Sequence, residues 1–294
     1  TGSTHPTGIS THAHPNIVSR TATFDFPFIS TNSPSSPANG REIQLDILRE
    51  IDAFCRKHDI CYFLSYGSLI GAIRHKGFIP WDDDIDIAMP RPDYERFVKE
   101  FTSSRYVVLN KLYDKKYPYL YGKVADPDTL VKENYDCPVE VGVNVDVFPI
   151  DGLPDDKKKS DKLCEKIKML RKQLEVKRLY VSKDRPLWKN ILHVSGKIFL
   201  SPFSDSWLLN RISKLQKLFP YENSSWVADL NFGGKERRMS KSLFEKTVDV
   251  DFEGGKFLAP VGYDTWLRAI FGDYMQLPPE EKRVSNHFFE VFHK

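Results

Sequence analysis

Between residues 41 and 150 the spacing of apolar positions changes repeatedly, and each change marks an element. From Glu42 to Lys57, Ile43, Leu45, Ile47, Leu48, Ile51 and Phe54 recur near helical spacing. A strand follows at Cys61 to Ser65, and Gly67-Ser68 opens a second helix through Ala72. The next strand, Ile85 to Met89, is ended by Pro90 and Pro92, and Tyr94, Phe97, Val98 and Phe101 line one face of another helix. Further strands are predicted at Tyr106 to Leu109, Tyr119 to Val124, Leu130 to Glu133 and Val141 to Pro149. In the last of these Val143, Val145 and Val147 alternate with Asn144, Asp146 and Phe148, which puts Asp146 on the face opposite the valines. A carboxylate there needs either a cation or an open cleft, because burial without a partner costs several kcal/mol.

From Asp155 to Lys217 the pattern becomes helical and lysine-rich, with Leu163, Ile167, Leu170, Leu174, Leu187, Ile191, Ile198, Leu200, Trp207, Leu208, Ile212, Leu215 and Leu218 as its apolar positions. The basic stretch from Lys183 to Lys197, interleaved with Trp188, Leu192 and Phe199, has two readings. One is an ordinary packed helix with a solvated face; the other is a helix lying on an anionic membrane. Beyond Trp226 short strands and loops precede a helix at Tyr263 to Phe271. Residues 1–40, rich in Thr, Ser, Pro and Gly, read as a flexible leader or an added extension, apart from an apolar cluster at Phe24, Phe26, Phe28 and Ile29. The expected organisation is a catalytic core over 41–154, a helical insertion over 155–222 and a C-terminal part, 223–294, that completes the core. The fold class is α+β, a mixed sheet flanked by helices.

Composition changes this picture little. With 40% hydrophobic and 28% charged residues the chain is of ordinary globular type, and a formal net charge of +3 gives no nucleic-acid footprint. Cys55, Cys61, Cys137 and Cys164 form no zinc spacing and are expected to be reduced thiols. No apolar run approaches the roughly 20 residues of a spanning helix, and the N-terminal residues lack the basic-then-apolar order of a signal peptide, so a cytoplasmic location is expected.

The candidate chemistry is concentrated in FLSYGSLIGAIRHKGFIPWDDDIDIAMPRPDY, residues 63–94. Asp82, Asp83, Asp84 and Asp86 crowd five positions and call for a cation. An extended backbone sets Asp84 and Asp86 on one face about 7 Å apart. Two such carboxylates suit Mg2+, which prefers oxygen ligands and keeps water and phosphate oxygens in its shell; Mn2+ is an alternative. Gly67-Ser68, at a helix start, suits a phosphate, since glycine permits close backbone approach and the first amides are free. Gly-Ser alone says little. The order strand, Gly-Ser, helix, Asp-x-Asp strand and later acidic strand resembles the nucleotidyltransferase fold.

The stretch GSLIGAIRHKGFIPWDDDIDIAMPRPDYERF further resembles the signature of the LicD/fukutin-related family, and FGDYMQLPPEEKR, residues 271–283, resembles its closing motif. The resemblance covers roughly residues 41–294. It implies transfer of a phospho-alcohol, most readily phosphocholine from CDP-choline, to a cell-surface glycan or teichoic-acid precursor with release of CMP; the membrane reading of the basic stretch Lys183 to Lys197 would add peripheral contact with the inner face of a membrane. It makes Asp84 and Asp86 the metal pair, turns Gly67 and Ser68 to the donor phosphates, and makes Asp146 the third acid, either metal ligand or general base. Asp82 and Asp83 are read as stiffening the loop. Arg74, His75 and Lys76 stand where cations neutralise a diphosphate, and Lys123 is a further phosphate contact or an exposed strand-end lysine. Tyr66, Trp81 and Tyr121 form an aromatic wall for a base or a quaternary ammonium, or belong to the core. His287 falls where the family shows paired histidines, but Asn286 takes the first place. Two rivals stand beside this reading. A glycosyltransferase using Asp84 and Asp86 predicts UDP or GDP release and leaves Asp146 unexplained; a non-catalytic nucleotide- or glycan-binding module predicts donor binding without CMP.

Overall fold

The computed structural model describes residues 37–132, 140–178, 187–232, 237–283 and 290–293. The apolar cluster at Phe24 to Ile29, and Glu133, Cys137, Lys183 and His287, lie outside the described residues. In chain order the elements are α1 (Pro37–His58), β1 (Phe63–Leu64), α2 (Tyr66–Arg74), β2 (Ile85–Pro90), α3 (Arg91–Glu100), β3 (Val107–Leu109), β4 (Gly122–Ala125), β5 (Thr129–Lys132) and β6 (Asn144–Leu153). Then come α4 (Lys157–Arg178), α5 (Leu187–Leu200), α6 (Asp205–Gln216), β7 (Trp226–Ala228), β8 (Met239–Ser240), β9 (Thr247–Phe252), β10 (Gly255–Pro260), α7 (Tyr263–Phe271) and β11 (Glu290–His293).

Seven strands form one mixed sheet in the order β1-β2-β6-β4-β3, with β7 paired to the far half of β6 and β8 to β7. Among the described residues only β2 and β6 of this sheet run parallel; its other pairs are antiparallel. With helices flanking this sheet, the fold is α+β. The alternation predicted for β6 holds. Val145 and Val147 are fully buried, as are Ile85 and Ile87 of β2, which stand opposite them in register. Asp86 and Asp146 therefore fall together on the other face. Helices α1 and α3 pack against both strands, with Ile47, Leu48, Ile51 and Phe97 fully buried.

Strand β6 is longer than predicted, running to Leu153, because its second half pairs with β7, a partner separated from it by the three helices α4 to α6. Strand β4 is shorter, since Tyr119 to Tyr121 approach the sheet without joining the ladder. Strands β9 and β10 make a hairpin closed at Glu253-Gly254, both at positive φ, the backbone of a two-residue hairpin turn. Glu253 accepts from the Phe78 amide at 2.9 Å and so clamps the loop after α2.

The helical segment departs from the packed-helix reading at one element. Leu163, Ile167, Leu170 and Leu174 of α4 meet Leu208 and Ile212 of α6 in a second apolar cluster, as their spacing predicts. Helix α5 does the opposite: Trp188, Ile191, Leu192, Ile198 and Phe199 are exposed, while Asn190 is buried. Spacing shows that a helix is amphipathic and is silent on which side meets the protein.

Candidate active site

Three strands build the site's floor. Asp86 of β2 is in register with Asp146 of β6, and Asp146 is in register with Lys123 of β4, so one cross-strand row reads Asp86, Asp146, Lys123. Lys123 Nζ donates to Asp146 Oδ1 at 2.5 Å and to Asn144 Oδ1 at 3.1 Å. It is 6% exposed, so the exposed strand-end reading gives way to a buried cation holding the third acid. Its ammonium also lies 5.3 Å from the Tyr119 ring centroid and 5.6 Å from that of Tyr121.

Helix α2 brings its N-terminus to the same place. The Ser65 amide donates to the Asp86 carbonyl at 2.9 Å, and Ser68 Oγ accepts from the Asp86 amide at 2.8 Å. Ser68 thus fixes the acidic strand against the helix start. A Cβ on Gly67 would stand 2.1 Å from Asp82 Oδ2, so glycine is what lets that carboxylate reach the first turn of α2. Arg41 Nη2 donates to the Asp82 carbonyl at 2.6 Å and ties the acidic loop to α1. Half-buried Asp83 and Asp84 continue that loop into β2.

These carboxylates feel one another. Asp86 titrates well above the usual carboxylate range, first because it loses hydration and then because Asp84, Asp146 and Asp82 lie near; Lys123 opposes the shift. Among the described residues no three of Asp, Glu, His and Cys are already drawn into a ligand set around one point. What fits a divalent ion is the donor chemistry: an all-oxygen cluster whose mutual repulsion a hard cation relieves.

Tyr66 begins α2 at φ +47°, a backbone that a bulky residue adopts only when its surroundings hold it. The holding contacts come from far along the chain. Its hydroxyl donates to Asp229 Oδ2 and accepts from Arg237 Nη1 at 2.8 Å. Asp229 Oδ1 accepts from the Asn231 amide at 2.7 Å and from Asn231 Nδ2 at 2.8 Å. Burial, then the Asp229 charge, pushes the Tyr66 hydroxyl far above its usual range, so it stays a neutral donor. Around it Tyr121, Phe148 and Phe232 form an aromatic cluster, with Tyr121 and Phe148 centroids 4.5 Å apart and Phe148 and Phe232 4.9 Å. Arg237 stands over the Tyr66 ring and Arg171 over that of Phe232, at 5.1 and 5.7 Å. Burial lowers the Arg171 pKa, with Asp229 and Glu175 opposing, the condition of a guanidinium that gains from an anion.

The structure thus gathers Gly67, Ser68, Asp82, Asp84, Asp86, Lys123 and Asp146, with Tyr66 and Tyr121 beside them. Other candidates sit elsewhere. Arg74 and Lys76 are at the opposite end of α2, about 10 Å along its axis from Gly67. Arg74 donates to the carbonyls of Tyr274 and Gln276, which binds the closing motif to the core. His75 and Trp81 lie edge to face, and Arg283 stands over Trp81, so Trp81 belongs to that junction and not to the Tyr66 cluster. Sequence reasoning missed Arg171, Asp229 and Arg237. A faint signal for the last two was present, since VADLNFGGKERR sets an Asp-x-Asn turn and paired arginines after a short strand.

The family described as LicD/FKTN/FKRP, nucleotidyltransferase domain, matches residues 59–151, the segment that supplies α2, β2, β4 and most of β6. Over 262 residues, 84% of this chain and 94% of the relative, the chain is 31% identical to the lipopolysaccharide cholinephosphotransferase LicD of Haemophilus influenzae. Shorter matches, 32% identical over 71 and 65 residues, are to uncharacterized proteins of Rickettsia typhi and Rickettsia prowazekii and cover 23% and 21% of this chain. With the family model matching residues 59–151 and a relative 31% identical over most of both chains, the chain belongs to the LicD family.

Proposed function

We propose that this transferase moves phosphocholine from CDP-choline to a lipid-linked cell-surface glycan and releases CMP, with Mg2+ held by Asp84 and Asp86 and with Asp146 as the general base. The observation that carries the proposal is the row of Asp86, Asp146 and Lys123 across three adjacent strands beside the α2 N-terminus. The relative's name, a lipopolysaccharide cholinephosphotransferase, supports the alcohol and the acceptor class. Such an acceptor is met at the inner face of a membrane; among the described residues no helix is long and apolar enough to cross one.

In this reading the α2 amides around Gly67 and the guanidinium groups of Arg171 and Arg237 hold the donor diphosphate. The acceptor hydroxyl attacks the β-phosphorus in line, a P–O bond forms there, and the bond from that phosphorus to the bridging oxygen breaks. CMP leaves with the electron pair. Asp146 takes the hydroxyl proton, with Lys123 fixing its orientation through Oδ1. When bound, the divalent ion supplies charge neutralisation for the transferred phosphoryl. The faces of Tyr66 and Phe232 already carry arginine cations, so their rings serve first to position Arg237 and Arg171.

The test is nucleotide release from a panel of CDP-choline, CDP-ribitol, CDP-glycerol and UDP-sugars with Mg2+ and a crude glycan acceptor. CMP from CDP-choline is expected; UDP release would replace the proposal with sugar transfer. Asp146→Asn is expected to bind donor and turn over at least about 100-fold more slowly, the scale of general-base loss. Unchanged turnover would remove Asp146 from the chemistry.

A further inference from the structure

Helix α5 carries its polarity inside out. Trp188, Ile191, Leu192, Ile198 and Phe199 are 63%, 60%, 67%, 68% and 78% exposed, whereas Asn190 and Leu200 are buried. At about 100° per residue these five exposed side chains share an arc of roughly 120°. Ser195 falls within that arc and turns its hydroxyl back to the Ile191 carbonyl at 2.5 Å, leaving the stripe without an outward polar group there. On the inner side Gly196 lets α5 approach α4: a Cβ there would meet Val176 Cγ1 at 3.1 Å. Five large apolar side chains, each at least 60% exposed on one arc of one helix, mark a binding surface.

The charges around the stripe identify its occupant. Lys189 stands over the Trp188 ring at 5.4 Å, whereas Lys197, half-buried, is on the side of α5 away from the stripe. Adjacent α4 carries eight lysines and two arginines against three acids. A groove of ≈ 570 Å³ between the two helices is lined by Lys168 and Lys172 against one acid, Glu165, with Met169, Val176 and Phe199. At 14 residues α5 is about 21 Å long, too short to cross a bilayer. A second copy placed symmetrically on this face would set one lysine-rich α4 against another. Anionic lipid answers both the apolar and the cationic features.

We propose that α5 lies in the plane of an anionic bilayer surface, with Trp188, Ile191, Leu192, Ile198 and Phe199 at the headgroup and acyl boundary and Lys168, Lys172 and Lys189 on lipid phosphates. This holds whether or not phosphocholine is the group transferred. The experiment is flotation of the full chain with vesicles of equal parts phosphatidylglycerol and phosphatidylcholine, and with phosphatidylcholine alone. The unaltered chain is expected to float with the anionic vesicles and to be released by high salt. Leu192→Glu/Phe199→Glu is expected to bind at least about 100-fold more weakly, since each large side chain contributes about 1.5–3 kcal/mol when buried. Its melting temperature should stay unchanged, both positions being exposed. Lys168→Glu/Lys172→Glu is expected to lose about tenfold or more on anionic vesicles and little on neutral ones. Three outcomes overturn the proposal: an unaltered chain that stays in solution with anionic vesicles, a Leu192→Glu/Phe199→Glu variant that floats as well as the parent, or a parent dimer that this variant dissolves.

Discussion

Replacing Asp86 with asparagine is expected to lower turnover by about 1,000-fold or more, because it removes a carboxylate from the proposed metal site, and several kcal/mol of charge stabilisation at about 1.4 kcal/mol per tenfold gives that factor. The same substitution should not unfold the protein. Asp86 is half-buried beside Asp84, Asp146 and Asp82, and loss of hydration together with their charges puts its folded-state pKa above the ordinary value of 3.8. The folded state therefore holds this proton more tightly than the unfolded chain. Its contribution to stability is fully present below the unfolded pKa and is lost as pH rises from there through the folded pKa. Near neutral pH without a divalent ion, Asp86→Asn should melt at or above the parent temperature, since it carries no charge to repel its neighbours. Mg2+ should raise the parent's melting temperature, more at pH 8 than at pH 5, and barely move that of the variant. Near-normal turnover of Asp86→Asn in saturating Mg2+ would sink the metal-site assignment. An equal Mg2+ shift in both proteins would place the ion elsewhere.

The largest expected effect on stability is at Arg91 and Asp151. The guanidinium meets the carboxylate through two bonds, Nε to Oδ1 at 2.6 Å and Nη2 to Oδ2 at 2.9 Å, with side chains 12% and 1% exposed. The pair joins the start of α3 to the half of β6 that carries β7, so it couples the parallel strand pair to the strand leading to Asp229. Arg91→Ala leaves a buried charge without its partner, which costs about 3–5 kcal/mol and should lower the melting temperature by roughly 10 °C. Arg91→Met/Asp151→Leu removes both charges and should recover most of that loss. Thermal melts of the two variants separate the cases. A loss below about 1 kcal/mol in the single variant would class the pair with ordinary surface bridges, and a double variant as unstable as the single would assign the cost to lost packing.

Much of the site's acidic half was legible along the chain because its geometry is local. Asp84 and Asp86 are two residues apart in extended backbone, and Gly67-Ser68 lies at a helix start, so spacing alone predicted their faces. The face of Asp146 followed from its alternation with Val145 and Val147. That Asp146 stands beside Asp86 did not, since it depends on the parallel register of β2 and β6. Lys123 shows the limit more sharply. Nothing in YGKVAD tells a buried cation from an exposed one until the antiparallel register of β4 and β6 sets it opposite Asp146. Arg74 and Lys76 show the converse: near in sequence to both glycine and acids, they are carried by the length of α2 to its far end.

The sequence by itself determined the helices and strands of the core, the acidic strand and the family signature, because period, turn chemistry and a dense motif are written within windows of a few residues. Only the tertiary structure decided the cationic and aromatic wall, where Tyr66 meets partners 163 and 171 residues away, and the outward turn of α5's apolar stripe. The physical reason is the same for both. A side chain's environment is set by what the fold packs against it, and periodicity records the direction of a side chain on its own element without naming what lies opposite.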